Sequence, residues 1–373
     1  MRRIASSLFV LAGVAGVAHA EPAFLTKQYA RCTTCHYSPT GGGLLTPYGR
    51  SLSRQELSST GHSESLSQGA LGKEEQFLWG LTGDALGPVS LGIDLRPSHL
   101  NLDVAGTGSG RGLLMTADLL AAYRTGGWTL YGELGREPLL DGTRIASYEY
   151  WVGHESGSGL GFRAGRFLPA YGIRLADHTA LTRAPLGFDF FDQVYALELS
   201  RSRGRSLLQL SLGPGRAESV LHDDGRRAFT ATGRFQLDLG PRGVLVASGL
   251  YRGASELEAR NGAGGLAFGF APTRHVSVWT EADAQFRQGT PGPPAYTLLN
   301  ETGVEVYRGV WLKVSPQLRT EYGDGSAGTF RLGFEANLLP RTHWNLDLSY
   351  YHDKSRANDL VIKTFLAQLH LYL

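Results

Sequence analysis

In Trp344-Asn345-Leu346-Asp347-Leu348-Ser349-Tyr350, the residues Trp344, Leu346, Leu348 and Tyr350 fall on one face of an extended chain, and Asn345, Asp347 and Ser349 on the other. Successive side chains of a strand point to opposite sides, so this period of two marks a strand with one apolar and one polar face. The pattern recurs. Phe330, Leu332, Phe334 and Ala336 alternate with Arg331, Gly333, Glu335 and Asn337, and Trp128, Leu130 and Leu134 with Thr129, Tyr131 and Glu133. Val276, Val278, Ala282, Ala284 and Phe286 oppose Ser277, Glu281, Asp283 and Gln285. From Glu75 to Leu373 such segments, each roughly ten residues long, are separated by turns of Gly, Pro, Asp, Asn or Arg-Gly.

Alternation suits both a soluble sandwich and a membrane barrel, and three features favour the barrel. Segments of about ten residues cross a bilayer when tilted, whereas soluble strands average five or six. Aromatic residues gather near strand ends (Trp128, Trp151, Tyr307, Tyr322, Trp344, Tyr372), as an interfacial girdle would. Glu133, Asp283 and Glu335 lie on the polar face, where a water-filled lumen permits charge. The last segment, Lys363 to Leu373, puts Leu369, Leu371 and Leu373 on one face, with Tyr372 before the final Leu. The expected fold is all-β: a transmembrane antiparallel β-barrel over residues 75–373, with about 16 strands and an aqueous lumen. One run breaks the pattern, Leu168 to Asp189, with Arg174, Asp177, His178 and Arg183 among apolar Tyr171, Ile173, Leu175 and Phe188. A run of this length is functional or disordered in a compact barrel. Its apolar anchors predict an ordered loop, in the lumen or over its rim, with a solvated surface loop as the alternative.

The N-terminus predicts export. Arg2 and Arg3 precede the apolar Ile4 to Val17 and the small-x-small site Ala18-His19-Ala20, so residues 1–20 read as a signal peptide and the mature chain starts at Glu21. No later stretch reaches the 18 apolar residues of a spanning helix. A net charge of +2 gives no reason to expect a nucleic-acid partner.

The two cysteines stand in Cys32-Thr33-Thr34-Cys35-His36. C-x-x-C-H is the attachment signature of c-type haem. Two thiols reach the vinyl groups of one porphyrin edge, and the adjacent imidazole becomes the proximal iron ligand. A disulfide here would close too short a loop to stabilise much. A thioredoxin-like pair needs a βαβ setting that is missing, and a zinc site needs further ligands. The expected cofactor is therefore one covalent haem c on Cys32, Cys35 and His36, within a small segment at residues 21–74. Tyr29, Tyr37, Pro39, Leu44, Leu45, Pro47 and Tyr48 are candidates to pack on the porphyrin, and Gly41-Gly42-Gly43 to turn the chain beside it. For the second axial position His62 is the candidate metal ligand, with His99 more distant, Met115 inside an apparent strand, and an open site as an alternative.

A haem motif close behind a signal peptide and joined to a barrel resembles the fused cytochrome–porins, whose best-known members are outer-membrane cytochromes of iron-oxidising bacteria. The resemblance rests on Pro22-Ala23-Phe24, Gln28-Tyr29, Cys32 to His36, Pro39 and the Gly-rich turn to Tyr48-Gly49, and less specifically on Arg163 to Phe167 and Asp177-His178-Thr179. It implies residence in outer-membrane lipid and electron transfer between an extracellular donor or acceptor, Fe(II) among them, and a periplasmic cytochrome or other redox carrier. It leaves the substrate open. A solute porin with a structural or regulatory haem is the alternative. A peroxidase-like haem enzyme would need a distal His–Arg pair, which the N-terminal segment does not offer. The protein therefore reads as an electron carrier rather than a conventional enzyme.

Overall fold

The computed structural model describes residues 22–60, 76–80, 87–139, 142–175, 177–189, 192–216, 228–254 and 259–372. The expected signal peptide and His62 lie outside them. Seventeen strand segments form one sheet: β1 (Val89–Val104), β2 (Thr107–Thr125), β3 (Trp128–Leu139), β4 (Gly142–Ala146), β5 (Tyr150–Glu155), β6 (Leu160–Phe167), β7 (Val194–Arg203), β8 (Ser206–Arg216), β9 (Thr230–Asp238), β10 (Gly243–Arg252), β11 (Asn261–Thr273), β12 (Val276–Arg287), β13 (Ala295–Tyr307), β14 (Val310–Glu321), β15 (Asp324–Leu338), β16 (Trp344–Ser355) and β17 (Val361–Tyr372). Each pairs antiparallel with its chain neighbour, and β1 pairs with β17 (His99 opposite Ala367), which closes the sheet. β4 and β5 share one partner: β3 pairs with β4 through Gly135–Leu139 and with β5 through Trp128–Gly132. They are two halves of one interrupted strand, so the wall is a closed barrel of 16 strands, as the alternation predicts. Closure leaves no unpaired edge, which a sheet in lipid requires.

The apolar faces point outward, leaving Leu130, Leu134, Leu199, Leu266, Phe268 and Phe334 exposed. Inward lie buried polar side chains, among them Glu198, Gln209, Glu281, Asp283, Gln317 and Asp347. Several large aromatics nevertheless face inward, Trp311 and Tyr351 among them. Trp279 falls on the polar face and is buried in the lumen. Trp151, expected in the outer girdle, is also buried inside, where it stacks on Tyr131 at 5.3 Å between ring centroids.

The connections differ between the two ends. At one end the turns are short, at 126–127, 156–159, 204–205, 239–242, 274–275, 308–309 and 339–343. The other end carries the long connection 168–193 and the loop joining β8 to β9. Short turns mark the periplasmic end of bacterial outer-membrane barrels.

The lumen is filled from both ends. Residues 22–60 enter at the short-turn end as a string of single helical turns, Pro22–Lys27, Cys32–Thr34, Pro47–Leu52 and Ser53–Leu57. Lys27 Nζ meets Glu305 at 2.7 Å, and Arg31 bonds Asp238, Ser202 and the Gly204 carbonyl. The Ser59 and Thr60 amides donate to the carbonyls of Leu339 and Pro340. Leu25 joins Ile173, Val244, Val246, Ala267, Trp279 and Leu299 in one apolar cluster, so this segment is packed against the inner wall.

From the opposite end, the run 168–189 folds inward, which settles the two readings left open for it. Leu168, Tyr171, Ile173, Leu175, Leu181, Leu186 and Phe188 are buried. The wall binds its backbone through side chains. Glu281 accepts from the Ile173 amide at 3.1 Å and Gln317 from the Leu181 amide at 2.7 Å, and Arg252 donates to the Leu186 and Gly187 carbonyls at 2.8 and 2.6 Å. Gly172 takes φ 52°, the left-handed region that favours glycine, and brings the loop backbone against the Glu281 carboxylate. Buried backbone groups need such partners, because water is excluded there.

Candidate functional site

Cys32 opens a single 3-10 turn through Thr34, and its carbonyl accepts from the amides of Cys35 (3.1 Å) and His36 (2.9 Å). Both thiols are half-buried and are not joined in a disulfide. The chain then makes a miniature hairpin. Gly41, Gly42 and Gly43 take φ of 80°, 79° and 58°, the left-handed region open to glycine, and bring Leu45 back beside His36. This turn aims the Gly42 carbonyl at the His36 ring, 3.0 Å from Nδ1. A carbonyl only accepts, so Nδ1 carries a proton, and the neutral tautomer with this bond has its lone pair on Nε2. The ring itself is buried.

The following helical turn is locked against the motif. Thr46 caps it, its Oγ1 accepting from the Gly49 amide at 3.1 Å and its own amide donating to the Cys35 carbonyl at 2.8 Å. A Cβ at Gly49 would stand 2.3 Å from the Cys35 carbonyl oxygen, so only glycine permits this approach. The wall grips the hairpin through Ser38, which donates to Glu149 at 2.8 Å and lies 3.4 Å from Arg163. Arg163 is itself held by Glu198 (3.0 Å) and lies 3.7 Å from Glu149.

Two cavities meet at Cys35 and His36. The first, partly open to solvent, is mostly apolar: Phe24, Leu44, Leu45, Leu52, Leu57 and Trp311 line it, with Asp94, Arg96, His343 and His370 from the wall. The second lies between the N-terminal segment and the inward loop. It holds both cysteines and is rich in arginine, with Arg31, Arg174, Arg183 and Arg234 around it. Arg174 Nη1 is buried there without a hydrogen bond. Burial draws the Arg174 guanidinium below its ordinary value. It takes Arg183 down to about 10, with the neighbouring Arg174 cation adding to the fall. Burial also pushes the Cys35 thiol up to about 12, and nearby Cys32 adds to that.

The residues expected to surround a cofactor divide. Leu44 and Leu45 line the first cavity and Tyr29 and Pro39 the second. Tyr37 turns away into a cluster with Leu120, Ala122, Tyr131 and Phe167, while Tyr48 is exposed and bonds Tyr29 through their hydroxyls at 2.7 Å. His99 is exposed on β1, and Met115, buried in the wall beside Gln368, lines neither cavity. His178 pairs with Asp189 at 2.6 Å within the loop. Sequence reading missed His343, His370, Arg96 and Arg234. Nothing in a strand's alternation distinguishes an inward residue beside a site from one elsewhere in the lumen.

Among solved structures, the chain is similar to OmpF of Salmonella typhi in complex with daunomycin (TM-score 0.60, 8% identity, covering 76% of this chain and 97% of that one). The barrel is porin-like. A loop-deletion mutant of OmpT, an outer membrane protein of Vibrio cholerae, gives a TM-score of 0.58 at 9% identity, over 76% of this chain and 99% of that one. The outer membrane channel DcaP of Acinetobacter baumannii gives 0.54 at 10% identity, over 76% and 97%. No family model and no curated protein matches the chain. At these identities the likeness concerns the fold.

Proposed function

We propose that this chain is an outer-membrane electron-transfer protein, anchored in lipid by the porin-like barrel, with one haem c attached at Cys32 and Cys35 and His36 as its proximal ligand. The observation that carries the reading is the placement of this C-x-x-C-H segment inside the lumen, with the His36 tautomer already set by the Gly42 carbonyl. Metal-binding histidines characteristically donate their other ring nitrogen in this way. The surroundings fit the group: an apolar cavity suits a porphyrin face, and the desolvated Arg174 and Arg183 suit its carboxylates. When bound, such a haem supplies one-electron redox chemistry.

The chain's own residues supply the setting. The wall and the inward loop enclose the motif in part, and buried Arg96 and Arg183, with half-buried Arg174, fix the charge around it. Thr33 and Tyr48, both exposed, leave an edge of the motif segment accessible to a periplasmic carrier. The loop 168–189 forms the cover toward an extracellular donor or acceptor, for which ferrous iron is one candidate.

The test is haem staining and redox-difference absorption on purified outer membranes, with ferrous iron and a periplasmic cytochrome added in turn. Covalent haem reduced by one and reoxidised by the other supports the conduit, and absence of covalent haem overturns it. The barrel's porin-like shape favours a second reading, a solute channel with a structural haem. That reading requires redox-inert haem together with a large single-channel conductance.

A further inference from the structure

We propose that His343, in the turn between β15 and β16, is the second axial ligand to the haem; this rests on the reading above. Three described histidines line the apolar cavity: His36 from the N-terminal segment, and His343 and His370 from the wall. Their surroundings differ. His370 Nε2 lies 3.3 Å from Asp94 Oδ1, so its outer nitrogen faces a carboxylate that Arg96 also grips through two bonds of 2.7 and 2.6 Å. His343 repeats the arrangement of His36. Its Nδ1 lies 2.5 Å from the Tyr372 carbonyl oxygen, which fixes the proton on Nδ1 and the lone pair on Nε2. Two imidazoles lining the same cavity, one from the N-terminal segment and one from the wall, thus have Nδ1 engaged by a backbone carbonyl.

His343 closes the 339–343 turn with φ 70°, in the left-handed region that non-glycine residues adopt uncommonly, and its surroundings hold it there. Those surroundings are visible: the Tyr372 amide donates to the His343 carbonyl at 3.2 Å, and the Trp344 amide to that of Arg341 at 3.2 Å. The N-terminal segment reaches the same place. Ser53 Oγ lies 2.8 Å from the Tyr372 hydroxyl and 3.5 Å from Thr342 Oγ1. Docking of the segment that carries His36 therefore registers it against the turn that carries His343, and the sixth coordination site would be completed by the barrel.

The experiment compares ferric electron paramagnetic resonance spectra and carbon monoxide binding by the ferrous protein, in detergent-solubilised holoprotein of wild type, His343→Ala, His343→Asn and His370→Ala. Asparagine tolerates the left-handed backbone, so it keeps the test valid if the alanine variant fails to fold. The expected wild type is low-spin and closed to carbon monoxide. Both His343 variants should retain covalent haem by staining, lose the low-spin signal, bind carbon monoxide, and recover the low-spin signal with added imidazole. His370→Ala should match wild type. A low-spin signal that persists in the His343 variants, or its loss in His370→Ala instead, overturns the assignment while leaving the haem in place. Absence of covalent haem from wild type overturns the reading beneath it as well.

Discussion

At the residue scale, the motif depends on groups that carry no redox chemistry. Gly49 touches the Cys35 carbonyl so closely that a methyl group forces the two segments apart. Gly49→Ala should lower stability by about 1–3 kcal/mol, the usual cost of overpacking, read as an earlier thermal midpoint of the haem-stained protein. Cys35→Ala should abolish covalent haem, leaving no stained band after denaturing electrophoresis; a band of unchanged intensity would show that Cys35 does not hold the group. Arg163 is buried against Glu198 and Glu149 beside Ser38. Removing it in Arg163→Ala leaves two acids uncompensated and should cost about 3–5 kcal/mol, seen as a lower denaturant midpoint. Cys32, Cys35 and His36 could be singled out by spacing alone, because the attachment signature is contiguous in sequence. Arg174, His343 and His370 could not, since their roles come from partners remote in sequence.

At the scale of elements, strands were the most legible part of the chain. A lipid-facing side and a polar lumen impose alternation on every strand, so Trp344 to Tyr350 and Phe330 to Asn337 could be read directly. Trp151 and Trp279 were misread or unplaced because an aromatic on the inner face, packed on an inserted segment, looks the same in sequence as one in the girdle. The interruption between β4 and β5 has no period of its own and was invisible. The loop 168–189 was recognisable as ordered from its apolar anchors, but its direction depends on Glu281, Gln317 and Arg252, which accept or donate to its backbone. Replacing residues 174–186 with a short Gly-Ser connection should raise single-channel conductance in planar bilayers several-fold while the barrel still folds. Unchanged conductance would show that the loop does not obstruct the lumen.

For the whole molecule, a barrel of 16 strands encloses an aqueous channel, yet here the N-terminal segment and the loop occupy it from opposite ends. The intact protein should accordingly conduct far less than an open barrel of the same strand number, measured side by side in the same lipid. Conductance equal to the open barrel would mean that the two inserts part readily.

The partners of the N-terminal segment also prescribe an order of assembly. Its anchors on Glu305, Leu339, Pro340 and Tyr372 lie up to 319 positions further along the chain, on strands translated and inserted last. Contacts so distant in sequence are slow to form, because long stretches of chain must close first. The N-terminal segment thus completes its seat only when the final strands are in place. The haem proposed for its cysteines would then be a passenger that those strands capture.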